Sequence, residues 1–355
     1  MSAIAVLLCL CAGVALVPPA SAGGPLSVEA EALAAGSDPA RLIRIRAAAM
    51  PDITEPVLFH TPEADAILSA FEVLPPDHAF NRVIEDWPLH PHSVAIVASV
   101  GADKPLRYNT DMGFIVVPPA QERVDVQIVG YPGESDPGPY PVPGNVPIEG
   151  WPAWYQRNSE TPPSLEEVQQ RPPTYEGDRH AIVVDPIQGK LYEFFVMGRT
   201  QDGWAAEQAS IFDLKTGAPR PDGWTSADAA GLPILPAVVR YDEIERGIVE
   251  HAMRVSIRRT RRAYVPPATH YASQLTDEDL PRMGERFRLR ADFDVRGFSP
   301  PVQAILRGLR KYGMLVADNG IEWAISVAPD PRIPVLHEEL RRVRGSDFEV
   351  VVAPD

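Results

Sequence analysis

Thirty-nine of the 355 residues are proline. The pyrrolidine ring removes a backbone donor, and proline is excluded from helix interiors and central strands. A chain punctuated this densely does not suit a helical bundle. Its regular elements should be short and joined by many turns. The runs between the prolines fit strands. Val124, Val126 and Ile128 alternate with Asp125, Gln127 and Val129, the period of a half-buried strand. "HAIVVDPIQGKLYEFFVMG" (180–198) reads as two strands around a turn at Gln188-Gly189. "GIVEHAMRVSIRR" (247–259) and "ERFRLRADFDV" (285–295) alternate again.

Helix signals are fewer. "FSPPVQAILRGLRKYGM" (298–314) has Ser299 as a cap, Pro300 and Pro301 at its start, an apolar stripe and Gly313 after its last turn. "PVLHEELRRVRG" (334–345) is a shorter candidate. "EADAILSAFEV" (63–73) fits a short helix or a strand lead-in. "HSVAIVASVG" (92–101) fits a helix by spacing and a buried strand by its β-branched residues. No repeat of 20–50 residues is present, which argues against a propeller or solenoid. The expectation is a mainly β fold: a β-sandwich or jelly-roll-like core with a few peripheral α-helices and long ordered loops.

The first residues run from an apolar stretch, Ala3–Val17, through Pro18-Pro19 to Ala20-Ser21-Ala22. That is the order of a secretory signal, although its start carries no Lys or Arg. An N-terminal membrane anchor is the alternative, but the stretch is short for a span, which needs about 20 residues. Cleavage after Ala22 would remove Cys9 and Cys11, leaving no thiol, disulfide or cysteine metal site. The expected organisation is a signal peptide over 1–22, an N-terminal tail over 23–55 and a single β-rich domain over 56–355. The expected location is secreted or periplasmic, with no membrane association after cleavage. The net charge of −15 argues against nucleic acid as a partner.

Five motifs, "ESDPGPYPVP", "GDRHAIVVD", "GWTSADAAGLPILP", "PPATHYAS" and "YGMLVADNG", resemble a family of exported microbial proteins. The likeness extends over about residues 56–352. It implies export and the extent of the domain, and it implies no particular chemistry.

Several chemistries lack their signatures. There is no Gly-x-Ser-x-Gly, phosphate-cradling glycine loop, His-Glu-x-x-His or dinucleotide fingerprint. What remains is an exported chain with acidic groups beside tight turns and aromatic-rich loops. The loop from Tyr131 onward holds Tyr140, Trp151, Trp154, Tyr155 and Tyr175. Sugars stack on such rings and hydrogen-bond such acids. Glycoside hydrolysis needs two facing carboxyls, one protonated and one ionised. A lyase needs a base such as His or Tyr and a cation to neutralise the substrate's acid.

Four groups of residues qualify. Glu134, Asp136 and Glu149 lie on a proline-stiffened loop; they suit substrate binding or catalysis, an Asx turn, or a structural Ca²⁺. Asp178, Arg179 and His180 precede a strand. Strand geometry puts Asp178 and His180 on one face and Arg179 on the other. Asp178 and His180 are catalytic candidates and Arg179 a binding one; an ion pair closing the loop is the simpler alternative. His270 and Tyr271 form a base-and-acid pair after the basic run Arg258, Arg259, Arg261 and Arg262. Trp151, Trp224, Asp228 and Asp242 complete the binding candidates. No metal ligand set and no cofactor are expected beyond that Ca²⁺.

The functional expectation is a secreted carbohydrate-active enzyme that cleaves a polysaccharide, hydrolase ahead of lyase. The alternative is a noncatalytic glycan-binding or cell-envelope protein.

Overall fold

A computed structural model describes residues 26–152, 163–170 and 177–354. The proposed signal segment, Trp154, Tyr155 and Tyr175 lie outside the described residues.

The strands in chain order are β1 (Val57–Leu58), β2 (Arg107–Thr110), β3 (Ile115–Val116), β4 (Val126–Ile128) and β5 (Ala181–Asp185). They continue with β6 (Lys190–Phe195), β7 (Gly198–Thr200), β8 (Gly203–Ala206), β9 (Gln208–Asp213) and β10 (Met253–Ser256). Last come β11 (Arg286–Leu289), β12 (Met314–Asp318), β13 (Ala324–Val327) and β14 (Phe348–Val351). The helices are α1 (Val28–Ala34), α2 (Pro39–Ala47), α3 (Pro62–Ala70) and α4 (Ser93–Val100). They are followed by α5 (Leu165–Gln169), α6 (Tyr241–Arg246), α7 (Pro300–Lys311) and α8 (His337–Leu340).

The strands form three mixed sheets with the orders β1-β3-β5-β6-β9, β14-β11-β12-β10-β13-β2 and β4-β8-β7. Strands are numerous, as expected. Helix is more abundant than expected, at 23% against 22% strand.

The hairpin over 180–198 forms where the pattern placed it. Asp185 accepts a bond from the Gln188 amide at 2.8 Å, and Gly189 supplies a positive φ of 68°. β5 is buried on both faces. Ile182 and Val184 join the main core; Ala181 and Val183 join a second, smaller one with Tyr140, Val142 and Phe194. The main core brings β5, β6 and β9 against β10, β11, β12 and β13, with α7 contributing Val302, Ile305 and Leu309.

α7 ends as read, at Gly313, but Ser299 makes no side-chain cap. The Ser299 amide instead donates to Glu339 at 2.6 Å. The alternation over 247–259 yields a strand only from Met253. Before it, the Val249 amide bonds Ala304 of α7 and the Ala252 amide bonds Phe80, which takes that backbone out of the ladder. Residues 92–101 resolve to α4. The segment expected as a tail contains α1 and α2, with Leu42 and Ile45 buried and Lys311 bridging to Asp38.

Trp323 is fully buried between Phe348 and Phe287, with ring centroids at 5.3 and 5.1 Å, and its indole donates to Gly101 at 3.0 Å. Trp323→Ala should cost about 3–5 kcal/mol, the usual cost of removing a large buried ring. Urea denaturation checks this; a loss near zero would mean that the ring does not hold the six-stranded sheet to α4.

Candidate functional site

Glu149 and His180 come from segments that pair through their backbones. The Glu149 amide donates to the His180 carbonyl at 2.8 Å, and the His180 amide donates to Glu149 Oε2 at 3.2 Å. The side chains then meet, His180 Nδ1 lying 3.0 Å from the same Oε2. His180 Nε2 is 2.9 Å from the Ala227 carbonyl. A carbonyl only accepts, so Nε2 carries a hydrogen. Burial alone would lower the imidazole, which is 4% exposed, but the Glu149 bond and charge, with Asp178, raise it to about 10. The ring is therefore an imidazolium at neutral pH. His180, a catalytic candidate from the sequence, has both ring nitrogens engaged as donors.

The two carboxyls beside it are driven apart. Burial pushes Glu149 up, yet the hydrogen bond and charge of His180 outweigh it and hold the group below its ordinary value. Asp178 reaches solvent at the pocket mouth, but crowding by protein raises it, with His180 opposing. One ligand atom each from Glu149, Asp178 and His180 lie within 4.8 Å of one another. That spacing is compact enough for a cation, and the Ala227 bond would orient the ring as metal-bound histidines are usually oriented. A cation there would have to displace the Nδ1 proton that His180 shares with Glu149.

Asp178 and His180 open onto a hollow of about 230 Å³ with Glu134, Phe195, His270 and Asp318 in its lining. His270 Nδ1 donates to Ala229 at 2.8 Å, which leaves Nε2 with the lone pair in the neutral ring. Behind the hollow, Asp228 takes a bidentate bond from Arg254 on β10, at 2.8 and 2.7 Å, and Arg254 also donates to Ser326 on β13 at 2.6 Å. Asp318, at the end of β12, is raised to about 7 by burial and then by Asp228. Asp111 is raised to about 6 by burial and then by Glu149. Glu193 of β6 is fully buried and accepts the Ile234 and Leu235 amides at 2.9 Å; burial still lifts it to about 7.

Of the remaining candidates only Glu134 borders the hollow. Arg179 turns to the opposite side and donates to Val168 and Met197, each at 3.0 Å, so it ties the loop to the smaller core. Asp136 pairs with Arg220 and accepts the Ile211 amide, which makes it a loop anchor. Glu134 lines the hollow, but its carboxylate already accepts the Thr225 amide at 2.8 Å. Glu134, Asp136 and Glu149 thus engage three different partners and do not gather as a Ca²⁺ set.

Trp151 packs edge-on to Phe59 and His60. Trp224 lies under the Arg220 guanidinium, 5.4 Å from its ring. Tyr271 stacks on His270 and takes a bond from Arg262, outside the lining of the hollow. Asp242 belongs to a separate network with Arg240, Arg246 and Ser69, held there by α6. Two runs hid functional neighbours. Arg254 in "HAMRVSIRR" and Glu193 in "LYEFF" are single charges inside buried strands, and a buried charge is the informative exception.

No family model, curated protein or solved structure matches the chain.

Proposed function

We propose that the chain is an exported glycan-cleaving hydrolase acting at the Asp178–Glu149 centre. The carrying observation is two carboxyls within 4.8 Å whose proton affinities are pushed in opposite directions. Opposed carboxyls are the working parts of glycoside hydrolysis, and carboxyls this close lie nearer the roughly 5–5.5 Å of the retaining route than the roughly 6.5–9.5 Å of the inverting one. In that route Asp178 gives its proton to the leaving oxygen as the glycosidic bond breaks. The Glu149 carboxylate, with 19% of its side chain exposed and set outside the residues that line the hollow, is read as the group that bonds to the anomeric carbon. Water, giving its proton to Asp178, then releases the sugar. His180 is a positioning residue that keeps Glu149 ionised.

The hollow is smaller than the roughly 300 Å³ lower end for drug-sized ligands, which suits one sugar ring. The apolar leader supports export. Among the described residues no helix is long and apolar enough to cross a membrane. The scaffold is read with this function as a decorated β-sandwich, on the core shared by the five- and six-stranded sheets.

Elimination is the second reading, favoured by the His270 tautomer and by the stacked Tyr271. A panel of neutral, uronic and sulfated polysaccharides separates the two. Hydrolysis should release reducing ends without ultraviolet absorbance, and Asp178→Asn should lower the rate about 10²–10⁴-fold. Unsaturated products lost in His270→Ala would replace hydrolysis by elimination. Activity abolished by EDTA and restored by a divalent cation would replace both by metal chemistry. Binding without cleavage across the panel would leave a glycan-binding protein.

A further inference from the structure

Arg286 on β11 is 5% exposed, and its guanidinium donates to two neutral acceptors, Tyr312 at 2.7 Å and Ala79 at 2.6 Å. Neither it nor nearby Arg82 makes an ion pair with any described residue, and the Nε of each is buried without a hydrogen-bond partner. Arg288, two residues along the same strand, differs: Glu349 neutralises it. A buried cation is ordinarily paired. Here two guanidiniums share one aromatic neighbour, lying 5.5 and 5.9 Å from the Trp87 ring. Burial, and then the charge of Arg82, push Arg286 down to about 9, and no described carboxylate opposes them.

Both arginines line a hollow of about 480 Å³ walled by Trp87 and Pro266-Pro267. Three other charged groups line it. Glu285 and Arg282 are engaged with each other at 2.8 and 3.0 Å, and Asp77 is solvent-exposed. An excess of unneutralised positive charge therefore stands in a protein of net charge −15.

We propose that this hollow is an oxyanion site in which Arg82 and Arg286 hold a carboxylate or sulfate group and Trp87 with Pro266-Pro267 covers the ring that bears it. Guanidiniums recognise both anions through parallel N–H bonds. The segment 264–272 connects this site to the cleavage pocket. It contributes Pro266 and Pro267 here, Pro266 to Thr269 to a neighbouring hollow of about 590 Å³, and His270 and Ala272 to the pocket of Asp178. Resting on the glycan reading, the site makes the substrate an acidic polysaccharide, uronic or sulfated, rather than a neutral one.

Isothermal titration with D-glucuronate, glucose 6-sulfate, inorganic sulfate and glucose tests the site without any turnover. The wild-type chain should bind at least one acidic sugar with a Kd below about 1 mM, and glucose not at all. Arg82→Gln should weaken that binding ten-fold or more while thermal unfolding stays cooperative; Arg82 is only partly buried, so this variant guards against misfolding of Arg286→Gln. The Arg82→Gln loss should be of the same size in an Asp178→Asn background, which removes any contribution from the cleavage pocket. Preference for glucuronate over glucose 6-sulfate identifies a uronate site, and the reverse a sulfate site. Inorganic sulfate bound with no acidic sugar keeps the oxyanion site and removes the glycan link. Absence of binding by every anion, or equal binding by Arg82→Gln, overturns the proposal.

Discussion

Glu149→Gln will destabilise the protein by about 3–5 kcal/mol at pH 6, the usual cost of stripping one partner from a buried pair. The neutral amide leaves the His180 imidazolium, buried beneath the pocket, facing only a carbonyl and the more distant Asp178. The ring will then titrate far below about 10, and NMR of its carbon-bound protons should follow it down.

The pH dependence has a definite sign. His180 is raised from 6.5 to about 10, so its contribution is complete below pH 6.5 and is lost as pH rises through 10. Glu149 is lowered from 4.5, so its contribution is present above pH 4.5 and is lost as pH falls through the folded value. Wild-type stability from this pair should therefore be greatest between about pH 4.5 and 6.5 and decline on both sides. Urea midpoints taken through pH 6–10 should fall for the wild type and stay nearly level for Glu149→Gln. Parallel slopes would sink the assignment of an imidazolium held by Glu149.

Asp228→Ala should be as damaging, again by about 3–5 kcal/mol, because Arg254 is left buried with its charge uncompensated. Asp318 offers only a partial substitute, since its carboxylate lies 3.8 Å from the guanidinium. Two readouts distinguish loss of this clamp from ordinary cavity formation. Asp318 should titrate below its wild-type value of about 7, because the charge that repels it is gone and Arg254 is free to turn toward it. Asp228→Asn, which keeps the shape and loses the charge, should recover little of the stability. Full recovery would mean that shape, and not charge, fixes this corner of the pocket.

Much of the pocket was legible in short stretches. The two-residue period of a strand put Asp178 and His180 together and turned Arg179 away; the side chains lie so, but residues 178–180 precede β5 and Arg179 is left-handed at φ 45°, so a turn and not strand alternation separates them. Glu149 could be nominated from its stiff loop but not matched to His180, because 31 residues separate them and the match is made by pairing between the two segments. Arg254, Ser326 and Asp111 converge on the centre from remote parts of the chain, which no local pattern encodes. Trp151 and Trp224 look alike as sugar platforms until packing assigns one to Phe59 and the other to Arg220. That strands would be many was readable for the same reason as the hairpin. The excess helix was not, because segments such as 93–100 carry β-branched residues that suit either state.

The two-sided burial of β5 has a consequence for how securely this centre is held. The β5–β6 pairing stops at Ala181 and Phe194; beyond it Arg179 and Val196 both take positive φ, 45° and 51°, and the Val196 amide bonds the Asp178 carbonyl while the Met197 amide bonds the Arg179 carbonyl. A slip of that ladder by one residue would exchange the faces of every side chain in it. Such a slip would turn Ile182 and Val184 toward the smaller core and Ala181 and Val183 toward the main one, and it would pull the turn that carries Asp178 and His180 out of line with Glu149. The misaligned hairpin would strand the His180 charge away from Glu149 and mismatch both cores. Electrostatics and packing therefore reject the same error, and the residues proposed to cut a glycan also proofread the strand that carries them.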